Sequence, residues 1–202
     1  PIGANFAFQI DEQTNADVYK NLTEWNVIAD GQIIMYLYDI NFRQYLINFN
    51  NFGTAASMYK TCMDYGVRMY IAQGVSDTNI GCLDEMRSYV ESALLWDVSL
   101  NYDVLAYDFM QHFYKDASEY VWDYYQEIRD RYAYYQTVVA PQSGTISGGI
   151  NSSELYTYEF TQKLASHLTK AFEAIGPLKA SDPQTYTTLY NRLKKEWLTI
   201  IY

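Results

Sequence analysis

Only two segments of this chain read as β-strands, and both are too apolar to face water. Ile33–Tyr38 (IIMYLY) is a short continuous apolar run with no alternation, which predicts a strand covered on both faces, as in a parallel sheet. Residues 67–72 (VRMYIA) form a second such run. Each follows a helical stripe. Val18, Leu22, Trp25 and Ala29, with Thr14 or Asn15 as the cap and Gly31 as the stop, precede the first strand; Ala55, Tyr59 and Cys62, stopped by Gly66, precede the second. Leu83, Met86, Val90 and Leu94 then mark a third helix. This order is that of βαβ units with right-handed crossovers. Two parallel strands do not form a stable sheet alone, so their unpaired edges predict self-association, cover by the chain's own helices, or further segments that complete the sheet.

The second half carries helical patterns alone. Leu105, Phe109 and Phe113 form one stripe; Val121, Tyr125, Ile128, Tyr132 and Tyr135 form the next. Residues 136–153 break the pattern with glycine and serine and predict a mobile linker. Asn151 and Glu154 have capping-box spacing ahead of Phe160, Leu164, Leu168, Ala171 and Ile175, a helix ended at Gly176-Pro177. Asp182-Pro183 starts the last helix, with Tyr186, Leu189, Leu193, Trp197 and Ile200 as its buried face. The chain therefore divides into βα units over 1–100, a helical hairpin over 101–135, the linker, and a helical pair over 154–202.

Composition narrows the partners. Fourteen Lys and Arg against 24 Asp and Glu give a net charge of −10 with no basic run, which argues against nucleic acid and anionic membrane surfaces. The longest apolar run is far short of the roughly 20 residues that cross a bilayer. Cys62 and Cys82 lie on different elements and read as small core residues rather than a disulfide framework. The chain opens on Pro1, which suggests a trimmed product or a piece of something larger and leaves the compartment unread. Twenty-two tyrosines among 202 residues supply flat faces with polar tips, suited to half-buried helix stripes or to stacking on sugar rings.

Familiar catalytic signatures are missing. There is no Gly-rich phosphate loop, no His-x-x-x-His or Cys-x-x-Cys spacing and no nucleophile elbow, so neither metal nor cofactor is expected. His112 and His167 sit on helical patterns and read as surface or packing residues. The carboxyl ends of the strands are the informative places, because ligands of parallel α/β architectures bind there. The first ends in Tyr38-Asp39, followed by Phe42, Arg43 and Tyr45; the second ends in Gln73-Gly74, followed by Asp77. Asp39 and Arg43 are spaced for an ion pair, and Tyr38, Phe42 and Tyr45 for a stacking floor. A capped strand end with an ordinary surface pair is the competing reading.

Three segments carry a family likeness. They are Tyr38-Asp39 with Asn41-Phe42-Arg43-Gln44-Tyr45-Leu46; Gly66-Val67 through Gln73-Gly74; and Leu94-Leu95-Trp96-Asp97 with Phe109, Phe113-Tyr114 and Ala117. Across residues 25–135 the chain resembles a bacterial family of unknown function, DUF4838, that sits among TIM-barrel glycoside hydrolases of the α-glucuronidase and hexosaminidase type. The resemblance implies a mainly helical α/β fold made of the last two parallel strands of a (β/α)8-type barrel and a helical tail. A complete barrel needs about 250 residues, so the chain would be a fragment. It also implies carbohydrate as the partner, an extracytoplasmic or cell-surface location, Asp39 as a catalytic carboxylate, and Tyr38, Phe42, Arg43, Tyr45, Gln73 and Asp77 as sugar contacts. The chain departs from the family where Ala72 replaces a strand-end Glu. A fragment of a glycoside hydrolase, inactive in isolation, is the leading expectation; a non-catalytic helical module that binds carbohydrate or protein is the alternative.

Overall fold

A computed structural model describes residues 3–75, 80–136, 144–148 and 152–201. Helix dominates. In chain order the elements are α1 (Ala16–Ile28), β1 (Ile33–Tyr38), α2 (Ala55–Asp64), β2 (Val67–Gln73), α3 (Asp84–Trp96), α4 (Tyr102–Tyr114), a 3-10 turn, α5 (Ser118–Tyr135), the one-turn α6 (Ser152–Leu155), α7 (Tyr158–Ala174), the one-turn α8 (Leu178–Ser181) and α9 (Pro183–Ile201).

β1 and β2 pair in parallel, with Ile34 opposite Met69 and Tyr38 opposite Gln73. Both helix-to-strand turns need glycine. Gly31 and Gly66 take positive φ, and a Cβ on Gly66 would lie 2.5 Å from the Gly31 Cα and 2.6 Å from Asn26 Oδ1, so the two turns meet backbone to backbone. Leu37 and Val67 on the strands are buried, and the Tyr70 ring packs on Tyr59 of α2.

The other face of the sheet is bare. Ile34, Tyr36, Met69 and Ile71 are 63%, 41%, 58% and 48% exposed, so the expectation of strands covered on both faces is not met among the described residues. The apolar runs supply a second buried face for which the described residues provide no cover. Trp25, Val27 and Ile28 of α1 are exposed beside it.

The helices build the core. α3 buries Met86, Val90 and Leu94, and α7 buries Phe160, Leu164, Leu168 and Ala171, as their periodicity predicts. On α4 the buried stripe is Tyr102, Ala106, Met110 and Tyr114, one residue on from the predicted Leu105, Phe109 and Phe113, which pack at its margin. Tyrosine carries much of this interior: Tyr59, Tyr114, Tyr124, Tyr125 and Tyr132 are at most 2% exposed. Their hydroxyls reach across elements, Tyr132 to the Asn48 carbonyl at 2.8 Å and Tyr124 to the Thr199 hydroxyl at 2.9 Å.

Caps depart from expectation in two places. Asn15 does not cap α1 with its side chain; it accepts from the Asn5 amide and donates to the Gln9 carbonyl, folding the amino-terminal loop onto the helix start. The helix expected from Asn151 onward is broken, and Thr157 caps α7 through the Phe160 amide. Asn151 lies outside the described residues. Asp182 caps α9 through the Thr185 amide, as expected.

Residues 144–148, inside the predicted linker, are pinned. The Gly144 carbonyl accepts from the Phe6 amide and the Ile146 carbonyl from the Phe42 amide, both at 2.7 Å. Asn41 Nδ2 donates to the Thr145 and Gly148 carbonyls. This strap clamps the loop that follows β1.

Candidate functional site

The carboxyl ends of β1 and β2 open into a cleft of about 870 Å³, walled by Asp39, Ala72, Gly74, the start of α3 and Lys195 of α9. Asp39 extends the β1 ladder, its amide donating to the Gln73 carbonyl at 2.9 Å. Its side chain does not meet Arg43. It is hydrogen-bonded to the carboxyl group of Glu91, and Asn51 Nδ2 bridges the two, at 2.8 Å from Asp39 Oδ1 and 3.0 Å from Glu91 Oε1. Glu91 also accepts from the Tyr59 hydroxyl at 2.8 Å.

Beneath the pair lies Arg87, which is 3% exposed. It donates to the Asp39 carbonyl at 3.1 Å and to Asn48 Oδ1 at 3.0 Å, and its guanidinium lies over the Phe52 ring at 4.8 Å. Arg87 and Glu91 are four residues apart and flank the Met86–Val90–Leu94 stripe, so the periodicity that buries the stripe takes both charges inside with it.

The electrostatics follow from this burial. Removal from water, then the adjacent Glu91 charge, hold the Asp39 carboxyl well above the usual carboxylate range, because two carboxyls in contact cannot both ionise. Asp39 therefore keeps its proton at pH values where an exposed Asp has lost it. On the cleft wall, burial lifts Asp84 to about 6 against the opposing pull of Arg87.

Buried polar atoms without a partner gather here. Among the described residues there are six such side-chain atoms; four are Asn48 Nδ2, Asn51 Oδ1, Arg87 Nε and the Tyr102 hydroxyl, and the other two belong to His167. An unsatisfied buried polar group costs about 1–3 kcal/mol, so a fold concentrates them where something other than stability is selected.

The remaining sequence candidates divide. Gln73 accepts from the Tyr36 hydroxyl at 2.7 Å on the bare sheet face. Tyr38, Phe42 and Tyr45 form a run of edge-to-face contacts leading away from the cleft, with Tyr38 also against Phe6. Arg43 and Tyr45 line a separate groove of about 510 Å³ against the end of α9. Asp77 lies outside the described residues. The structure thus brings together Asp39, Glu91, Arg87 and Asn51, of which sequence reasoning singled out only Asp39. Among the described residues no cluster of His, Cys, Asp or Glu could hold a metal ion, and no helix is long and apolar enough to cross a membrane.

Residues 1–126 match the family model of a domain of unknown function (DUF4838). No curated protein and no solved structure matches the chain.

Proposed function

Since the chain belongs to the DUF4838 family of domains of unknown function, we propose a role drawn from its own chemistry: it binds carbohydrate in the strand-end cleft, as the strand-end portion of a glycan-acting protein. One observation carries this reading. The adjacent carboxyls of Asp39 and Glu91, the Arg87 guanidinium and the hydroxyls of Ser88 and Ser92 line one cleft at the carboxyl ends of two parallel strands. Sugar hydroxyls both donate and accept, which suits a wall of carboxyl, hydroxyl and guanidinium groups.

The same geometry speaks against hydrolysis by these groups alone. Glycosidases set two carboxyls roughly 5 to 9.5 Å apart, on either side of the bond they cleave. Asp39 and Glu91 are in hydrogen-bond contact, and Ala72 lines the cleft where the family likeness implies a Glu. The chain alone therefore binds glycan without cleaving it, and any cleavage needs groups from elsewhere in a larger protein. The open sheet face and the groove of about 610 Å³ between α1 and β1 support β1 and β2 as part of a larger parallel sheet of the (β/α)8 kind.

Titrating neutral, amino- and uronic-acid oligosaccharides into the isotope-labelled chain tests the reading. Amide shifts at Gly74, Ser88 and Ser92, abolished by Ser88→Trp, are expected, with no turnover of aryl glycosides. Shifts confined to other surfaces, or no shift with any sugar at millimolar concentration, overturn the binding reading; turnover by the chain alone overturns the account of its inactivity.

A further inference from the structure

The last helix reaches the same cleft from outside the family-matched residues. Lys195 of α9 forms an ion pair with Glu85 of α3, and both line the cleft. The next residue, Glu196, points the other way and is completely buried. Its carboxyl accepts from the Leu83 amide at 3.2 Å and from the Tyr114 hydroxyl at 3.3 Å. Leu83 takes a left-handed φ of 55° at the turn into α3, so Glu196 holds together α9, α4 and the turn that starts the cleft wall.

No cation serves Glu196. Among the described residues it makes no salt bridge, and its neighbour Lys195 is committed to Glu85. The groups facing it are Cys82 and the Leu83 amide at the turn, Asp84 and Glu85 on α3, Tyr114 on α4 and Tyr124 on α5. All are neutral or acidic. A carboxylate buried among such groups is strongly disfavoured, whereas a neutral carboxyl is well accommodated.

We propose that α9 is a pH-operated latch on the strand-end cleft: with the Glu196 carboxyl neutral the helix stays docked and holds Lys195 at the cleft wall, and ionisation of that carboxyl releases it. Burial, then the nearby Glu85, lift Glu196 to about 8. An undocked Glu ionises near its ordinary value of roughly 4.3. A group whose docked value is raised favours docking fully below the undocked value, and that advantage declines up to the docked value. The ratio of open to closed α9 therefore rises about tenfold per pH unit between roughly pH 4.3 and 8, then levels off.

Hydrogen exchange on the whole chain measures this. In the wild type, protection factors of α9 amides near Glu196 should fall about tenfold per pH unit over that window and stay below those of α5 throughout; in Glu196→Gln the α9 values should be flat. Equal profiles in the two proteins, or loss of α9 protection only together with α5, overturn the latch. If the variant does not fold, the carbon-13 shift of the Glu196 carboxyl in the wild type decides: a midpoint near 8 supports the latch, and an ordinary one overturns it.

The consequence for ligand rests on the cleft reading above. With a mixture of cello-, xylo- and chito-hexaose as probe, wild-type affinity should weaken from acidic to alkaline pH more steeply than that of Glu196→Gln, in which Asp39 and Asp84 of the cleft wall still titrate. An equal pH dependence in the two proteins overturns the coupling of α9 to the cleft. Absence of binding at every pH overturns the proposed function and leaves the exchange result intact.

Discussion

Replacing Glu91 by Gln should change the pH dependence of stability more than stability itself. The amide retains an oxygen for Asn51 Nδ2, and the Tyr59 hydroxyl, which donates to Glu91 at 2.8 Å, can rotate to accept from the new nitrogen. What disappears is the Glu91 charge, the second of the causes that raise Asp39, so Asp39 holds its proton less tightly, with Arg87 and Asn51 favouring its anion and burial still opposing it. An acid whose folded pKa is raised keeps a proton that the unfolded chain has already lost. Its contribution is complete below the unfolded pKa and declines as pH rises toward the folded one. In the wild type, Asp39 and Glu196 are both such acids. Each proton is worth about 1.4 kcal/mol per pH unit, so over roughly pH 5 to 6.5 Glu196 should lower wild-type stability by that much per unit, with Asp39 and Asp84 steepening the fall. Glu91→Gln should make that slope shallower. Urea unfolding at four pH values across the window gives both slopes. Equal slopes in the two proteins, or wild-type stability that rises with pH, would refute the coupling of Asp39 to Glu91.

Two further outcomes follow from the packing. Gly66→Ala should destabilise by about 1–3 kcal/mol, because φ is +82° and the added carbon meets the Gly31 backbone at 2.5 Å; a thermal melt unchanged from the wild type would contradict the back-to-back turn. Burial pushes the Cys62 thiol up to about 12 and the Cys82 thiol higher still, so a thiol reagent should label neither in the native chain near neutral pH and both after unfolding.

What the sequence disclosed depended on whether its signal was local. Glycine stops and continuous apolar runs define β1 to the residue and β2 to within one, because both are short-range features. The same runs overstated coverage, since apolarity records what a strand needs and not whether this chain provides it. The α4 stripe was missed by one position because a helix dense in aromatics offers two plausible stripes; size favoured Phe109 and Phe113, but the buried side is chosen by Tyr114 reaching Glu196. Asp39 was legible from its place at a strand end. Its partner was not, since Glu91 comes beside it only through tertiary packing, with Asn51, 40 residues from Glu91 in sequence, bridging the two. The one local hint was Arg87 and Glu91 with helical spacing on the flank of an apolar stripe. The strap at 144–148 was hidden for the opposite reason: glycine and serine signal freedom, whereas here a Cβ at Gly144 would lie 2.1 Å from the Ala7 amide nitrogen, so smallness permits close contact.

The tyrosine-built interior has a consequence for how the helices find one another. Leucine contacts are nearly indifferent to a slide of one turn, because one methyl can replace another. A buried hydroxyl is not, and Tyr59, Tyr114, Tyr124 and Tyr132 each meet a partner on a different element. A slipped collapse would strand these four groups at about 1–3 kcal/mol apiece. The hydroxyls thus act as alignment keys that admit one arrangement of helices and reject its near neighbours, and replacement of any one of these tyrosines by an apolar residue should be tolerated only alongside a change in its partner.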